Sequence, residues 1–159
     1  MRLPTLTTER LSVRELTLAD APPLGRGSDW LRWTVLGYAQ YAELHQPPYG
    51  ERAVTRDGEL VGLVGLVPSL VPAEAGGLRP EVGLYWEIAE AQRGNGYATE
   101  AARALAAHAR RSLGLARVIA TTTYDNEPSI AVMRRLGMRI ERNETGDPPW
   151  LEVMGVLDE

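Results

Sequence analysis

"AEAQRGNGYATEAARALAAHARRSLG", Ala89 to Gly114, places two glycines one residue apart, directly ahead of an alanine-rich stretch. The segment leading in, "EVGLYWEIA" (Glu81 to Ala89), alternates Val82, Leu84, Trp86 and Ile88 with Glu81, Gly83, Tyr85 and Glu87, the period of a strand. The segment leading out, Thr99 to Leu113, sets Ala101, Ala102, Leu105, Ala109 and Leu113 on one helical stripe, and Gly114 stands where a left-handed residue ends a helix. A strand that enters a glycine loop and leaves it as a helix aims unpaired backbone N–H groups and the positive end of the helix dipole at the loop, which makes an anion site. Gly94 and Gly96 lack Cβ atoms, so a phosphate can approach the chain closely, and Arg93 adds a positive charge. The glycine spacing fits a tight strand-to-helix turn without a ligand equally well.

Working outward, "ARVIATTTY" (Ala116 to Tyr124) is a β-branched strand, followed by a helix capped at Asp125 or Asn126, with Pro128 in its first turn and Gly137 at its end. "MRIERNE" and "WLEVMGVL" form two more strands across a "TGDPP" turn. Upstream, "ERAVTRDGELVGLVGLVPSL" reads as an antiparallel hairpin, Glu51 to Arg56 and Leu60 to Val67, around Asp57-Gly58. "VPAEAGGLRP" reads as a loop. "RLSVREL" (Arg10 to Leu16) is a strand, Thr17 and Asp20 are candidate helix caps, and Asp29 to Leu44 has helical spacing interrupted by Gly37. The expected fold is α/β of the α+β kind: a mixed, mostly antiparallel central sheet of about six to seven strands, flanked by helices on both faces.

The chain has 159 residues, of which 44% are hydrophobic and 24% charged, the profile of one globular domain over residues 1–159. It has no phenylalanine, so its core must be built from aliphatic residues with a few Trp and Tyr. A net charge of −4 argues against a nucleic-acid binder, which needs a basic surface to neutralise phosphates. Without cysteine there is no disulfide, thiolate metal site or cysteine nucleophile. His45 and His108 are too isolated to suggest a metal site. No apolar signal segment follows Met1-Arg2, and the apolar run Leu60 to Val71 is short and holds Pro68, so neither secretion nor a membrane span is expected and the cytoplasm is the expected compartment.

Two familiar phosphate loops are excluded. A dinucleotide fingerprint requires Gly or Ala where Thr99 stands, and a nucleoside-triphosphate loop requires a G-K-S or G-K-T run that is absent. "RGNGYATEA" (Arg93 to Ala101) instead resembles the Q/R-x-x-G-x-G/A signature of the GNAT superfamily of acyl-CoA-dependent N-acetyltransferases, matched at Arg93, Gly96 and Ala98. "NEPSIAVMRRLGM" (Asn126 to Met138) and "TERLSVRELTLAD" are similar to segments of the ribosomal-protein N-acetyltransferase-like branch.

The resemblance implies acetyl-CoA as cosubstrate, an amine acceptor as partner, a monomer or homodimer, no metal and direct transfer in a ternary complex. It implies that the backbone of Gly94, Asn95, Gly96, Tyr97, Ala98 and Thr99 holds the coenzyme pyrophosphate beside Arg93. Trp86 and Ile88 would lend backbone groups to the pantetheine and acetyl carbonyl, Asn126 would contact the coenzyme, and Ser129 would lie near the thioester sulfur. For catalysis it leaves Ser129 as donor to the leaving sulfur and Glu87, with Glu81 as an alternative, as base acting through water. Ser129 equally fits a first-turn residue bonding its own backbone, and both carboxylates fit solvent-facing strand positions. A tyrosine common in the superfamily is replaced by Met133; Tyr97 and Tyr124 are secondary candidates for the acid. Trp30, Trp33, Tyr38 and Tyr41 either line the acceptor pocket or belong to the core. The basic cluster in "ARRSLGLAR" (Ala109 to Arg117) is either a solvated helix end or a contact for the adenosine phosphate. The acceptor is a protein N-terminus or a small-molecule or antibiotic amine; the alternative is a coenzyme A-binding regulatory module with little catalysis.

Overall fold

The computed structural model describes residues 3–20, 29, 33–35, 37 and 48–158. Its strands are β1 (Leu6–Thr7), β2 (Ser12–Glu15), β3 (Gly50–Arg56), β4 (Glu59–Pro72), β5 (Leu78–Ile88), β6 (Val118–Thr122), β7 (Arg139–Arg142) and β8 (Val153–Leu157). They form one sheet in the order β1-β2-β3-β4-β5-β6-β8-β7. All neighbours are antiparallel except β5 and β6. This parallel pair encloses the helix α1 (Tyr97–Arg111), and a second helix, α2 (Glu127–Leu136), follows β6.

The eight strands exceed the expected six to seven because of β1, whose two residues are too short to show a period. β1 pairs with β2 across a turn in which the Thr8 N–H bonds the Leu11 carbonyl and the Thr8 hydroxyl accepts from the Leu11 N–H. The predicted loop "VPAEAGGLRP" is a second departure. β4 runs on to Pro72 and β5 begins at Leu78, so only the turn at Ala73–Gly77 is loop. Prolines misled the reading, yet β4 has no β3 partner beyond Leu66. Along such a free edge a missing N–H costs no ladder bond. The Asp57-Gly58 turn behaves as expected, both residues taking positive φ (51° and 86°).

The principal core lies between one face of the sheet, with Val54, Val64, Leu66 and Leu84, and α1, with Ala101, Ala102, Leu105 and Ala109; Met133 and Met138 continue it under α2. Alanines on this helix face let α1 sit close to the aliphatic sheet, which compensates for the lack of phenylalanine. Truncating Leu105, fully buried there, would cost about 2–5 kcal/mol. The opposite face holds Leu16, Ala53 and Leu63 under Val35, which belongs to a helical stretch at Trp33–Val35. The remainder of the helix expected over residues 29–44 lies outside the described residues.

Both helices end as the sequence predicts. Gly114 (φ 70°) lets the Leu115 N–H reach the Ala109 carbonyl, and Gly137 (φ 83°) lets the Met138 N–H reach the Met133 carbonyl. Near the N-terminus, Asp20 terminates a 3-10 turn at Leu18–Asp20 and is held by both nitrogens of the Arg14 fork and by the Thr17 N–H and hydroxyl. No helix among the described residues is long and apolar enough to cross a membrane.

Candidate active site

β5 and β6 share a single registered pair, Gly83 with Ile119, although β5 continues to Ile88 and β6 to Thr122. Beyond that pair the two strands have no registered pairing. The Ala89 N–H bonds the Val61 carbonyl, on the β4 side. Because an antiparallel ladder alternates the direction of its backbone groups, those of Trp86 and Ile88 turn the other way, toward β6 and the gap. The Ile88 carbonyl there accepts from Arg93 Nε at 3.1 Å.

The loop after β5 passes through a 3-10 turn, Glu90–Gln92, to Gly94 (φ 81°) and Gly96 (φ 80°). A Cβ at Gly94 would meet nothing within 4 Å, and one at Gly96 only Arg10 Nη2 at 3.6 Å. Glycine is therefore demanded by the left-handed backbone, and the protein's own atoms do not fill the space over the loop. Asn95 turns its amide inward to the Gln92 carbonyl, 3.0 Å away. Gly96 caps α1 without any side-chain hydrogen bond, so the first-turn amides of Tyr97, Ala98 and Thr99 gain no side-chain acceptor from the cap. Thr99 is 8% exposed, and its buried Oγ1 has no hydrogen-bond partner among the described residues.

Tyr97 does not reach the site with its side chain. It is 2% exposed, its hydroxyl accepts from Arg56 Nη1, and the guanidinium carbons of Arg10 and Arg56 lie 5.0 and 5.8 Å from its ring centroid. Its backbone alone borders the loop, so it is not a candidate acid.

β6 runs parallel to β5, so α2 starts at the same end of the sheet as the loop. Asn126 Oδ1 accepts from the Ser129 N–H at 3.2 Å and caps the helix. Ser129 is half-buried, and its hydroxyl makes no hydrogen bond among the described residues, neither to its own backbone nor elsewhere. Met133 is fully buried beneath α2. Tyr124 donates its hydroxyl to the Asn143 carbonyl, while its N–H bonds Glu152 Oε2 at 2.6 Å.

The two strand carboxylates have different fates. Glu81 is gripped by Arg79 (3.2 Å) and Arg117, a structural ion-pair cluster on the β5 residues that precede Gly83. It is not a solvent-facing base. Glu87 lies past Gly83 on the stretch that pairs with β4 but has no registered β6 partner, is half-buried, and accepts a hydrogen bond from the Tyr85 hydroxyl. Of the expected acceptor-pocket aromatics, Trp33 is 72% exposed, which removes it from the core, and Trp30, Tyr38 and Tyr41 lie outside the described residues, as does His45. Arg110 and Arg111 sit in the last turn of α1, roughly 20 Å from Gly96 at the helical rise per residue. That separation fits a helix end better than a contact to a ligand on the loop. His108, in the same last turn, has its pKa lowered by burial and by the Arg52 charge. No cluster of three or more potential metal ligands occurs among the described residues.

The sequence reading missed Thr8, Arg10, Arg56 and Tyr85. The first two lie in "TERLSVREL", and Glu100, the residue they hold, lies in "YATEA"; the resemblance marked both segments but gave no reason to pair them.

Residues 10–139 match the sequence profile of the acetyltransferase (GNAT) domain. The chain belongs to the GNAT acetyltransferase family. Its fold superposes on the acetyltransferase from Agrobacterium tumefaciens str. C58 with a TM-score of 0.74 and 27% identity, over 100% of this chain and 96% of the other. It likewise superposes on RimL, a ribosomal L7/L12 alpha-N-protein acetyltransferase in complex with coenzyme A, with a TM-score of 0.73 and 18% identity over 98% of both chains. At that identity the likeness concerns the fold. A curated relative, the uncharacterized N-acetyltransferase YnaD of Bacillus subtilis (strain 168), is 39% identical over 56 residues, which make up 35% of this chain and 33% of YnaD. The loop Arg93 to Thr99 lies within the matched residues and sits at the mouth of the β5–β6 gap.

Proposed function

We propose that this GNAT protein is an acetyl-CoA-dependent N-acetyltransferase whose acceptor is a primary amine, foremost a protein N-terminal α-amino group. One observation carries the reading: the open, positive-φ glycine loop under the uncapped start of α1 stands at the mouth of two parallel strands that have parted. The residues fit the coenzyme. Oriented amides and Arg93 suit a diphosphate, and Thr99 Oγ1, buried in the first turn of α1 behind those amides, has no hydrogen-bond partner among the described residues. Backbone groups of Trp86 and Ile88 suit the amides of an extended pantetheine chain. Bound acetyl-CoA supplies an activated acyl group as a thioester.

This chain's own residues then have three tasks. Glu87 takes the proton that the amine loses, directly or through water. The backbone at the parted end of β5 offers N–H dipoles to a developing negative charge. The Ser129 hydroxyl, which has no hydrogen bond among the described residues, donates toward the leaving sulfur. An α-amino group with a pKa near 8 needs little deprotonation at neutral pH, whereas a lysine near 10.4 needs a stronger base than a carboxylate. That difference favours the N-terminus over lysine, in agreement with what RimL is named for.

A second reading, a coenzyme A-binding module with little catalysis, draws on the burial of Met133 and the engagement of Tyr124 with a carbonyl, which take both positions away from the role of acid. An assay of thiol release from acetyl-CoA across N-terminal peptides, polyamines and aminoglycosides, paired with calorimetry, separates the two. Peptide-dependent release supports the transferase; tight coenzyme binding with no release from any amine favours the module. No binding of acetyl-CoA would overturn both.

A further inference from the structure

Tyr85 and Glu87 are two residues apart on β5, so their side chains share a face, the one opposite Trp86 and Ile88. The phenol donates to Glu87 Oε2, and the Tyr85 ring packs against the cluster of Leu16, Ala53 and Leu63, which fixes the donor in place. The backbone beneath Glu87 is constrained as well. Gly62 pairs with Ile88, and a Cβ there would fall 2.7 Å from Ile88 Cδ1 and closer still to the Glu87 carbonyl oxygen, so β4 and β5 make their close approach beneath Glu87. The backbone that carries Glu87 is thus packed closely against β4 at Gly62, and its carboxylate is bonded by a phenol on the same strand face.

We propose that Tyr85 is a positioning residue of the acetyl transfer, its phenol orienting the Glu87 carboxylate toward the acceptor amine. The proposal rests on the reading of Glu87 as the base. The phenol is a neutral donor, so it fixes one oxygen of the carboxylate in place without taking over its charge. As the C–N bond forms, the C–S bond of the thioester breaks and coenzyme A departs as its thiolate, with the Ser129 hydroxyl donating a hydrogen bond to the sulfur, which takes its proton from solvent. Glu87 takes the proton that the amine loses and passes it to water, and the phenol keeps its own proton throughout.

The test compares wild type, Tyr85→Phe and Glu87→Gln in two measurements. One is the pH profile of kcat/KM with the best peptide acceptor. The other is a titration of the ¹³C-labelled Glu87 carboxyl by NMR, assigned through the Glu87→Gln spectrum. Tyr85→Phe keeps the ring and its packing, and an unchanged thermal midpoint verifies the fold. The expected result is an upward move of the carboxyl titration, an equal move of the acid limb and a roughly tenfold lower kcat with unchanged coenzyme affinity. If neither the carboxyl titration nor the limb moves, the positioning role is overturned while the transferase reading stands. If the carboxyl moves and the limb does not, or if Glu87→Gln keeps the limb, Glu87 is not the base and the proposal falls with it.

Discussion

Arg10 and Glu100, 90 positions apart, form a two-point contact: the Arg10 N–H reaches Glu100 Oε1 at 3.0 Å and its Nε reaches Oε2 at 2.7 Å. The Thr8 hydroxyl adds a third bond to Oε1 at 2.6 Å. The contact ties the β1–β2 turn to the first turn of α1, immediately behind the glycine loop. A carboxylate in a first helical turn also complements the helix dipole, so Glu100 gains from both sources. Burial would push the Glu100 pKa up, but the bonds from Thr8 and Arg10 outweigh it and hold the carboxyl below its usual range.

Removing the charge should loosen this end of α1. Glu100→Gln is expected to lower unfolding stability by about 1–2 kcal/mol, a value kept modest because the Arg10 side chain is 43% exposed. Urea titrations of Glu100→Gln, Arg10→Ala and the double variant should reveal a coupling between the two sites; strict additivity would contradict the contact.

Acid should expose the same chemistry. At Asp20 burial pushes the pKa up, and the bonds from Arg14 and Thr17 more than reverse it, so its folded pKa is lowered like that of Glu100. Carboxyls of this kind contribute stability that is fully present above their unfolded pKa, near 4, and is lost as pH falls through the lower folded value. The thermal midpoint should therefore drop as pH falls below about 4. Asp20→Asn should start lower at neutral pH and show a shallower acid decline; a parallel decline in wild type and variant would refute the assignment.

Strand and helix placement was legible in the sequence wherever a period or a cap marked it. The alternation of Val82 to Ile88, the alanine stripe of α1, Asn126 as cap and the positive-φ glycines all stand where the residues put them. Illegible were features set by contacts between distant segments. Nothing near Glu100 announces Arg10, and Glu81 and Glu87, alike in the sequence, differ because Arg117 comes from the segment that leads into β6 and Tyr85 from the same strand. The Pro-rich arm was misread because whether a proline harms a strand depends on a neighbour that the local sequence does not reveal.

Gly62→Ala separates intrinsic preference from packing. Alanine ordinarily suits a strand better than glycine by a fraction of a kcal/mol, but here its methyl would press on Ile88 Cα, 3.0 Å away, and on the Glu87 carbonyl. The expected outcome is a loss of about 1–3 kcal/mol together with reduced turnover, as the backbone beneath Glu87 shifts. A neutral or stabilising effect in thermal melts would show that β5 yields without cost.

Restoring the superfamily tyrosine should fail. Met133 is fully buried, and its thioether lies over bare Gly155, where a Cβ would fall 3.1 Å from the sulfur. A phenol in that space is both too large and left without an evident hydrogen-bond partner, so Met133→Tyr should destabilise by about 1–3 kcal/mol without raising kcat. A stable, faster variant would mean that α2 can rotate this position toward the gap.

Ser129→Ala tests the other end of the reaction. Its N–H is the group that Asn126 caps, so the helix start survives loss of the hydroxyl, and stability should change by less than about 0.5 kcal/mol. If the hydroxyl serves the leaving sulfur, kcat should fall roughly tenfold to a hundredfold while coenzyme affinity, measured by calorimetry, stays within about twofold. The deficit should also shrink with acyl donors whose leaving thiol is more acidic, because such a thiolate needs less help. Equal turnover in wild type and variant with every donor would leave the departing sulfur to solvent alone and Ser129 as a first-turn residue of α2.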